Sequence, residues 1–293
     1  MNTPRTSHQD RALEVLDPGP LTTLQDRGRP GWAHVGVPHA GALDRPAADL
    51  ANRLVGNPPD AAVLETTLGG VTVRATAAMT VAVTGAECDV RVDGRARPSA
   101  TAVAVGAGSE VVVGPARHGV RSYLAVSGGI DVAPVLGSRS TDTLAHVGPP
   151  VLAAGQRLPV GSAVAAPSTA EAHHLVRRTP GPAVLRFRPG PRADLFPSGS
   201  VGRLCGAPYS VTADSNRVGL RLRGEALLRD LGEVPTEGVV LGAVQVPPSG
   251  QPLVFLADHP TTGGYPVLGV VRREDLAACA QLRPGDQVSF AAD

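Results

Sequence analysis

The chain contains no lysine. All 27 residues of the Lys plus Arg count are arginine, a bias that a GC-rich genome explains. The absence has a chemical consequence: no side chain here can form a Schiff base or be carbamylated, so covalent lysine catalysis is excluded. Aromatic residues are also scarce, at 3% with a single tryptophan, so the core must be built mostly from Val, Leu and Ala. Cysteine appears three times, at Cys88, Cys205 and Cys279. The three are far apart and form no CxxC pair, which excludes a zinc ribbon or a disulfide framework and fits a reducing cytoplasm. The formal net charge is only +1, so no general field attracts nucleic acid or an acidic membrane. No window approaches the ~18 apolar residues of a membrane span. Met1 to Arg11 is polar and lacks the apolar centre of a signal peptide. A cytoplasmic protein is expected, without nucleic-acid or membrane partners.

Glycine (35) and proline (28) are abundant, dispersed through a sequence that is 42% hydrophobic. That pattern suits many short strands joined by turns, and it argues against disorder. The 293 residues are comfortable for two domains. A disordered leader is expected over 1–12, a first domain over 13–175 and a second over 182–293, with a Pro/Ala-rich linker holding His173-His174 between them. Ala12–Leu16, Leu21–Leu24, Val71–Arg74, Met79–Thr84 and Val120–Val126 read as strands. Asp93-Gly94 signals a hairpin. A second hairpin is expected from Thr101–Val105 and Glu110–Val113 around Gly106. Asp44 as N-cap and Pro46 in the first turn, followed by Leu50, Leu54 and Val55, predict a helix. A short helical turn is expected over Asp60–Leu64 and an amphipathic helix over Glu274–Leu282. Strands at this spacing imply barrels or a sandwich.

The two halves share an order of features. Tyr123-Leu-Ala-Val-Ser-Gly-Gly then Pro134-Val-Leu-Gly parallels Phe255-Leu-Ala to Thr262-Gly-Gly then Pro266-Val-Leu-Gly. We read two similar β-barrels in tandem, with Ser127-Gly128-Gly129 and Thr262-Gly263-Gly264 as equivalent loops facing a ligand groove. The stretch Leu256 to Gly269 is the most suggestive of chemistry. A hydrophobic strand runs into Asp258, His259, Thr261, Thr262 and Tyr265 around Gly263 and Gly264, which are free to take φ > 0. A plain β-turn is the structural alternative.

The other motifs can each be read as site or scaffold, evenly for the turn at Gln25 and with plain loop histidines favoured for His34 and His39. In Gln25-Asp26-Arg27-Gly28-Arg29 an Arg could clamp a ligand carboxylate, or Asp26 could fix the turn. His34 and His39 lie in a Gly-rich loop, where either could be a base, though neither has metal-ligand spacing. Glu65 suits a buried carboxylate partnered by Arg. Gln245 and Gln251 flank Pro247-Pro248 and suit recognition of an amide or urea-like group. Ser127 lacks the GxSxG frame, and no GxxxxGK[ST] or GxGxxG is present, so no nucleotide site is expected in this chain.

Thr22-Thr-Leu-Gln-Asp-Arg-Gly-Arg-Pro-Gly, Gly36-Val-Pro-His-Ala-Gly-Ala-Leu-Asp, Ala51-Asn-Arg-Leu-Val-Gly-Asn-Pro, Leu64-Glu-Thr-Thr-Leu-Gly-Gly and Thr261-Thr-Gly-Gly-Tyr-Pro are long and specific. In these the chain resembles the allophanate hydrolase subunit 2 family, also called biotin-dependent carboxyltransferase-like, which includes the C-type subunits of 5-oxoprolinases. The resemblance implies a mainly β fold with a few short helices, made of two tandem cyclophilin-like β-barrels. It implies work with a subunit 1 (B-type) partner and a third, LamB/YcsF-like subunit in ATP-dependent opening of 5-oxoproline to glutamate. The alternatives it leaves open are a carboxyltransferase component moving a carboxyl group from carboxybiotin to urea or a related amide, and a regulatory binding protein of the Kip antagonist type. No cofactor is expected on this chain. ATP or carboxybiotin would come through partner subunits, since a biotin-bearing lysine is not available here. Family members commonly carry Gln before Thr-Thr-Gly-Gly, whereas this chain has Pro260. The expected catalytic residues are His34, Asp26, Thr262 and Tyr265, with His34 or Asp26 as base. The expected substrate-binding residues are Asn216, Arg217, Gln245, Thr261, Gly263 and Gly264, with Arg217 holding a carboxylate and Gln245 with Thr262 bonding the amide. No metal is expected.

Overall fold

The computed structural model describes residues 11–167, 182–190, 192–228 and 234–293. The leader up to residue 10 and the linker histidines His173-His174 lie outside the described residues. The chain forms two compact units, and they do not follow the chain in simple halves. The first contains the chain up to Gly28, then Arg45–Thr141, then the stretch from Gly148. The second contains Arg29–Asp44, Asp142–Val147 and the C-terminal part of the chain.

The first unit is a nine-stranded curled sheet. Its strands are β1 (Ala12–Asp17), β2 (Thr22–Gln25), β3 (Val63–Thr67), β4 (Val71–Ala75), β5 (Met79–Val92), β6 (Arg95–Arg97), β7 (Val103–Val105), β8 (Glu110–Val126) and β9 (Arg157–Pro159). The order β2-β3-β8-β4-β1-β9 is H-bonded throughout, and β5 pairs with β6, β7 and β8. Period two is plain in β4: Val71, Val73 and Ala75 are buried while Arg74 is exposed. The core that these strands build, including Leu13, Leu64, Val73, Val111 and Leu124, contains no aromatic side chain. Each fully buried Val or Leu contributes about 1.5–3 kcal/mol of transfer free energy, so many small side chains replace a few large ones.

The helix expected after Asp44 is present as α1 (Arg45–Leu54), which buries Ala47, Leu50, Ala51 and Leu54. Asp93 and Gly94 take φ of 51° and 74° and turn β5 into β6, as two-residue hairpins require. Two local expectations fail. Asp60–Leu64 is not helical: Ala61 N–H closes a turn on the Pro58 carbonyl, and β3 starts at Val63 to pair with β2. The turn at Gly106 does not join a hairpin either. β7 pairs with the start of β5, Val105 opposite Met79, while the start of β8 pairs with β4 and the end of β5. Turn residues mark a reversal but do not choose the strand's partner, and burial across the long β5 and β8 decides that here.

The second unit is a closed seven-strand barrel with a short ribbon outside it. Its elements are β10 (Ala183–Pro189), α2 (Ser200–Gly206), β11 (Tyr209–Val211), β12 (Gly219–Arg223), β13 (Glu237–Gly238), β14 (Ala243–Gln245), β15 (Leu253–Phe255), β16 (Thr262–Gly263), β17 (Val267–Val271), α3 (Leu276–Cys279) and β18 (Gln287–Ala292). The barrel order is β10-β17-β14-β15-β12-β11-β18, closed by the parallel pair β10–β18. β13 and β16 form the ribbon. The expected C-terminal helix is shorter than its apolar pattern, a 3-10 turn over Arg273–Asp275 running into α3. The few aromatics gather in this barrel. Phe187 and Tyr209 both meet Phe290 edge-on, with ring centroids 5.8 and 6.0 Å apart. The fold is therefore mainly β with a few short helices, in two units. The second closes into a barrel and the first remains a curled sheet.

The two Gly-Gly pairs are not conformational equivalents. Gly128 and Gly129 take φ of 97° and 70°, and a Cβ on Gly128 would lie 2.1 Å from the Gly161 carbonyl oxygen. Gly263 and Gly264 do not use positive φ, because Gly263 lies in the ribbon strand β16. The repeat thus keeps the order of punctuation but not the backbone geometry. Gly128→Ala combines left-handed strain with a hard backbone clash, so we expect a loss of about 2 kcal/mol or more. That is a fall in Tm of about 4–8 °C in a scanning calorimeter; an unchanged Tm would show that this turn can move aside.

Candidate active site

One buried ion pair ties together three distant segments of the second unit. Arg217 and Asp258 are 1% and 0% exposed. Arg217 donates from Nε to Asp258 Oδ2 (2.9 Å) and from Nη2 to Asp258 Oδ1 (2.8 Å). Its Nη2 also donates to the Gly41 carbonyl at 2.8 Å. Thr143 adds two bonds to Asp258 Oδ2, from its backbone N–H (2.9 Å) and its hydroxyl (2.7 Å). The bidentate fork needs arginine, because no ammonium matches both carboxylate oxygens in one plane. Such a pair adds little net stability over apolar residues, but removing one partner leaves a buried charge and costs about 3–5 kcal/mol.

The sequence around the pair aims these groups. Asn216 Oδ1 accepts from the backbone N–H of Val218 (2.8 Å) and Gly219 (3.3 Å). This Asx turn swings the chain into β12 and leaves Arg217 pointing inward. Val254 is in the barrel core while Leu253 and Phe255 are not, so β15 delivers Asp258 from a strand of fixed register. Leu256 N–H bonds the Val218 carbonyl (2.9 Å) and Asp258 N–H the Arg217 carbonyl (3.1 Å), holding the two turns side by side.

A second, smaller cluster lies on the outer face of β14 and β15. Val244 and Val254 face the core, whereas Ala243, Leu253 and Phe255 join Val239 in a separate apolar cluster. Gln245, two residues beyond Ala243, shares that outer face by strand alternation. Gln245 is 4% exposed and donates from Nε2 to the Tyr265 carbonyl at 3.0 Å. The ribbon crosses directly over it: a Cβ on Gly263 would lie 3.0 Å from Gln245 Nε2 and 3.1 Å from Val239 Cγ2. Gly263 is glycine for close approach, not for backbone freedom. Thr261 is half-buried and its carbonyl accepts from Val239 N–H (2.9 Å), while the Thr262 side chain is exposed and Tyr265 is half-buried. Gly264 accepts at its carbonyl from Val234 N–H at 3.0 Å.

The titratable groups around the pair are shifted by burial. Burial pushes the His259 pKa down, and the nearby His39 adds to that direction. His259 Nδ1 contacts the Pro260 carbonyl at 2.8 Å, and its ring tilts against Phe255 with centroids 6.1 Å apart. His39 repeats the arrangement, Nδ1 to the Ala40 carbonyl at 3.0 Å. Asp142 is pushed up by burial and by Asp258. Its Oδ1 accepts from Leu144 and Ala145 N–H, while its Oδ2 is buried without a hydrogen bond. Among the described residues no group of three or more His, Cys, Asp or Glu could hold a metal ion. No described helix is long and apolar enough to cross a membrane.

The structure gathers six expected residues in one neighbourhood: Gln245, Thr261, Thr262, Gly263, Gly264 and Tyr265. The others take different places. Arg217 was expected to hold a substrate carboxylate, but the carboxylate in its fork is that of Asp258, so it acts as a positioning residue. Asn216 is exposed and its amide oxygen is used by its own turn. His34 is exposed, stacks on Trp32 at 6.3 Å and contacts the Gly31 carbonyl through Nδ1. Asp26 belongs to the first unit and is saturated. Ser138 Oγ and Ser140 Oγ donate to its Oδ1 at 2.6 Å each, and Arg139 N–H to its Oδ2 at 2.6 Å. Of the alternatives weighed for that turn, the structure holds Asp26 as a scaffold group. Glu65 is the buried carboxylate the sequence suggested, with Tyr123 Oη donating at 2.9 Å and Arg121 Nε lying 3.6 Å away. Asp142, Thr143, His39, Phe255 and His259 were not among the expected site residues. His259 lies within the singled-out stretch Leu256 to Gly269, and His39 was read as a possible base, though neither was given a site role. Thr143 is 115 residues from Asp258 and carries no local signal.

Comparison with known proteins adds what geometry alone lacks. The family model described as carboxyltransferase domain, subdomain A and B, matches residues 35–292. The C-type subunit of the 5-oxoprolinase of Escherichia coli (strain K12) is 39% identical over 282 residues, which cover 95% of this chain and 90% of that protein. The crystal structure of TTHA0988 superposes with a TM-score of 0.87 at 36% identity over 99% of this chain, which spans 57% of that one. The K. lactis urea amidolyase structure superposes with a TM-score of 0.89 at 28% identity over 96% of this chain, which spans 18% of that one.

Two outcomes follow from the buried pair. Arg217→Met should destabilise the protein by about 3–5 kcal/mol in denaturant unfolding, and Arg217→Met combined with Asp258→Leu should recover part of that loss. If Arg217→Met costs under about 1 kcal/mol, Asp258 is not held by this bond. His259 has a lowered folded pKa, so the unfolded chain binds its proton first. Its contribution is full above the unfolded value near 6.5 and declines as pH falls through the folded value. His259→Gln should therefore flatten the pH dependence of stability just below pH 6.5; an unaltered slope would place His259 in solvent.

Proposed function

Because the chain belongs to the carboxyltransferase domain, subdomain A and B, family, we infer that it is the C-type component of a 5-oxoprolinase, opening a cyclic amide to glutamate together with partner subunits. The observation that carries this reading is the match to a protein named as a 5-oxoprolinase subunit along 95% of this chain and 90% of that protein. A subunit name points to a complex. The partners we propose are a subunit 1 (B-type) chain and a LamB/YcsF-like chain, which would bring the ATP. This chain's part is to bind and orient the amide. Gln245 and Thr262 are proposed to bond it, with Tyr265 and Thr261 beside them on the ribbon.

A second reading has its own support. A urea amidolyase structure superposes over 96% of this chain, which favours a carboxyltransferase component taking a carboxyl group from carboxybiotin to a urea-like amide. The same face would then hold the acceptor amide, and the biotin would ride on a lysine of another chain, since this one has none.

The test is reconstitution. The chain mixed with both partners, ATP and 5-oxoproline should release glutamate, and Thr262→Ala and Tyr265→Phe should each lower kcat/KM by about tenfold or more with unchanged Tm. No glutamate under any condition sinks the 5-oxoprolinase reading, and carboxybiotin-dependent carboxylation of urea would then support the second.

A further inference from the structure

The two glycines of the ribbon differ in what surrounds them. A Cβ on Gly264 would meet only the Val234 carbonyl oxygen, at 3.6 Å, an ordinary contact. A Cβ on Gly263 would lie 3.0 Å from Gln245 Nε2 and 3.1 Å from Val239 Cγ2, so a neighbour would have to move. Gly263 has no positive φ and lies in a β-strand, where alanine fits the backbone. The contact alone requires glycine here.

The carboxamide in that space is aimed by the barrel. Val244 is opposite Gly269 and Gln245 is opposite Val267, so Leu268 is an extra residue on β17 at that step. A bulge of this kind bends the strand and re-aims the side chains beside it. Val246 N–H then bonds the Pro266 carbonyl at 3.2 Å, and Gln245 Nε2 bonds the Tyr265 carbonyl next to it at 3.0 Å.

A methyl group at 263 would displace whichever partner is held least. The ribbon is held by the β13–β16 pairing, by Val239 N–H on the Thr261 carbonyl, by Val234 N–H on the Gly264 carbonyl and by the Arg192–Glu237 ion pair. Val239 is β-branched and stiff at χ1. The Gln245 carboxamide is held by one hydrogen bond among the described residues, so it yields first.

We propose that Gly263 is a positioning residue that acts through Gln245. Its missing side chain is the space in which the carboxamide lies against the ribbon, ready for the amide that Gln245 binds. This rests on the reading of the chain as an amide-binding subunit and names what sets the place of its binding group. A side chain at 263 turns the carboxamide off the Tyr265 carbonyl and weakens amide binding without itself touching the ligand.

The experiment has two readouts. In the chain alone, NMR follows the side-chain amide resonance of Gln245, assigned by its loss in Gln245→Ala. Gly263→Ala should move that resonance. Gly238→Ala, in the same ribbon but with nothing within 4 Å of its added Cβ, should leave it in place. In the complex with both partners, Gly263→Ala should raise KM for 5-oxoproline by about three- to tenfold, the worth of one hydrogen bond, with kcat within about twofold. On a Gln245→Ala background, where the carboxamide is gone, the same substitution should change KM by less than about twofold. A merely structural role would raise KM equally on both backgrounds, and that result overturns the proposal. So does a Gln245 resonance that stays still in Gly263→Ala. If the complex releases no glutamate with any of these chains, the functional reading fails on its own, and the resonance still decides whether Gly263 places Gln245.

Discussion

The Arg217–Asp258 ion pair is the constraint on which the candidate site depends. A fully buried guanidinium and carboxylate are tolerable only when their hydrogen-bonding capacity is met. Meeting it recruits Gly41 from one end of the chain and Thr143 from its middle. The Gly41 loop therefore has a fixed position on the barrel, and the His259 turn another beside it. The pair is better understood as a device for geometry than for stability. A hydrophobic replacement of both residues could be equally stable, but nothing in it would specify where two histidines and a threonine must sit.

Around that knot the chemistry is mostly that of neutral acceptors. Asp258 is committed to Arg217 and Thr143, and in the other unit Asp26 is committed to two serine hydroxyls. Lysine is absent from the chain altogether. What stays available on the outer wall is an amide oxygen and the hydroxyls of the ribbon. Those groups recognise a small uncharged amide well and activate a nucleophile poorly. The function we propose therefore assigns amide binding to this chain and the groups that drive the reaction to its proposed partners.

Much of the fold was legible because its signals are local. Alternation marked Val71 to Ala75, Asp93-Gly94 fixed a hairpin, and Asp44 with Pro46 opened a helix. Failures came where a partner had to be chosen. The turn at Gly106 was recognisable as a turn, but only burial in the folded sheet sends β7 to β5 and β8 elsewhere. The site divides in the same way. Gln245 and Thr261 to Tyr265 were visible as polar residues around glycines at strand ends. Gly263 was singled out for freedom of φ and turned out to matter for its missing Cβ against Gln245. Arg217 and Asp26 carry the right groups for binding a ligand, but composition cannot tell whether an arginine's fork will meet a substrate or a neighbouring aspartate. Thr143 was invisible, because its partner Asp258 lies 115 residues away.

The central claim of the function we propose is that the amide is bound by Gln245 and the ribbon that crosses over it. A structure of the assembled complex with 5-oxoproline bound tests it most directly. The account predicts the lactam in hydrogen-bond reach of Gln245 and Thr262, with Tyr265 beside it. A lactam bound on the first unit, or one that touches neither Gln245 nor Thr262, would contradict it.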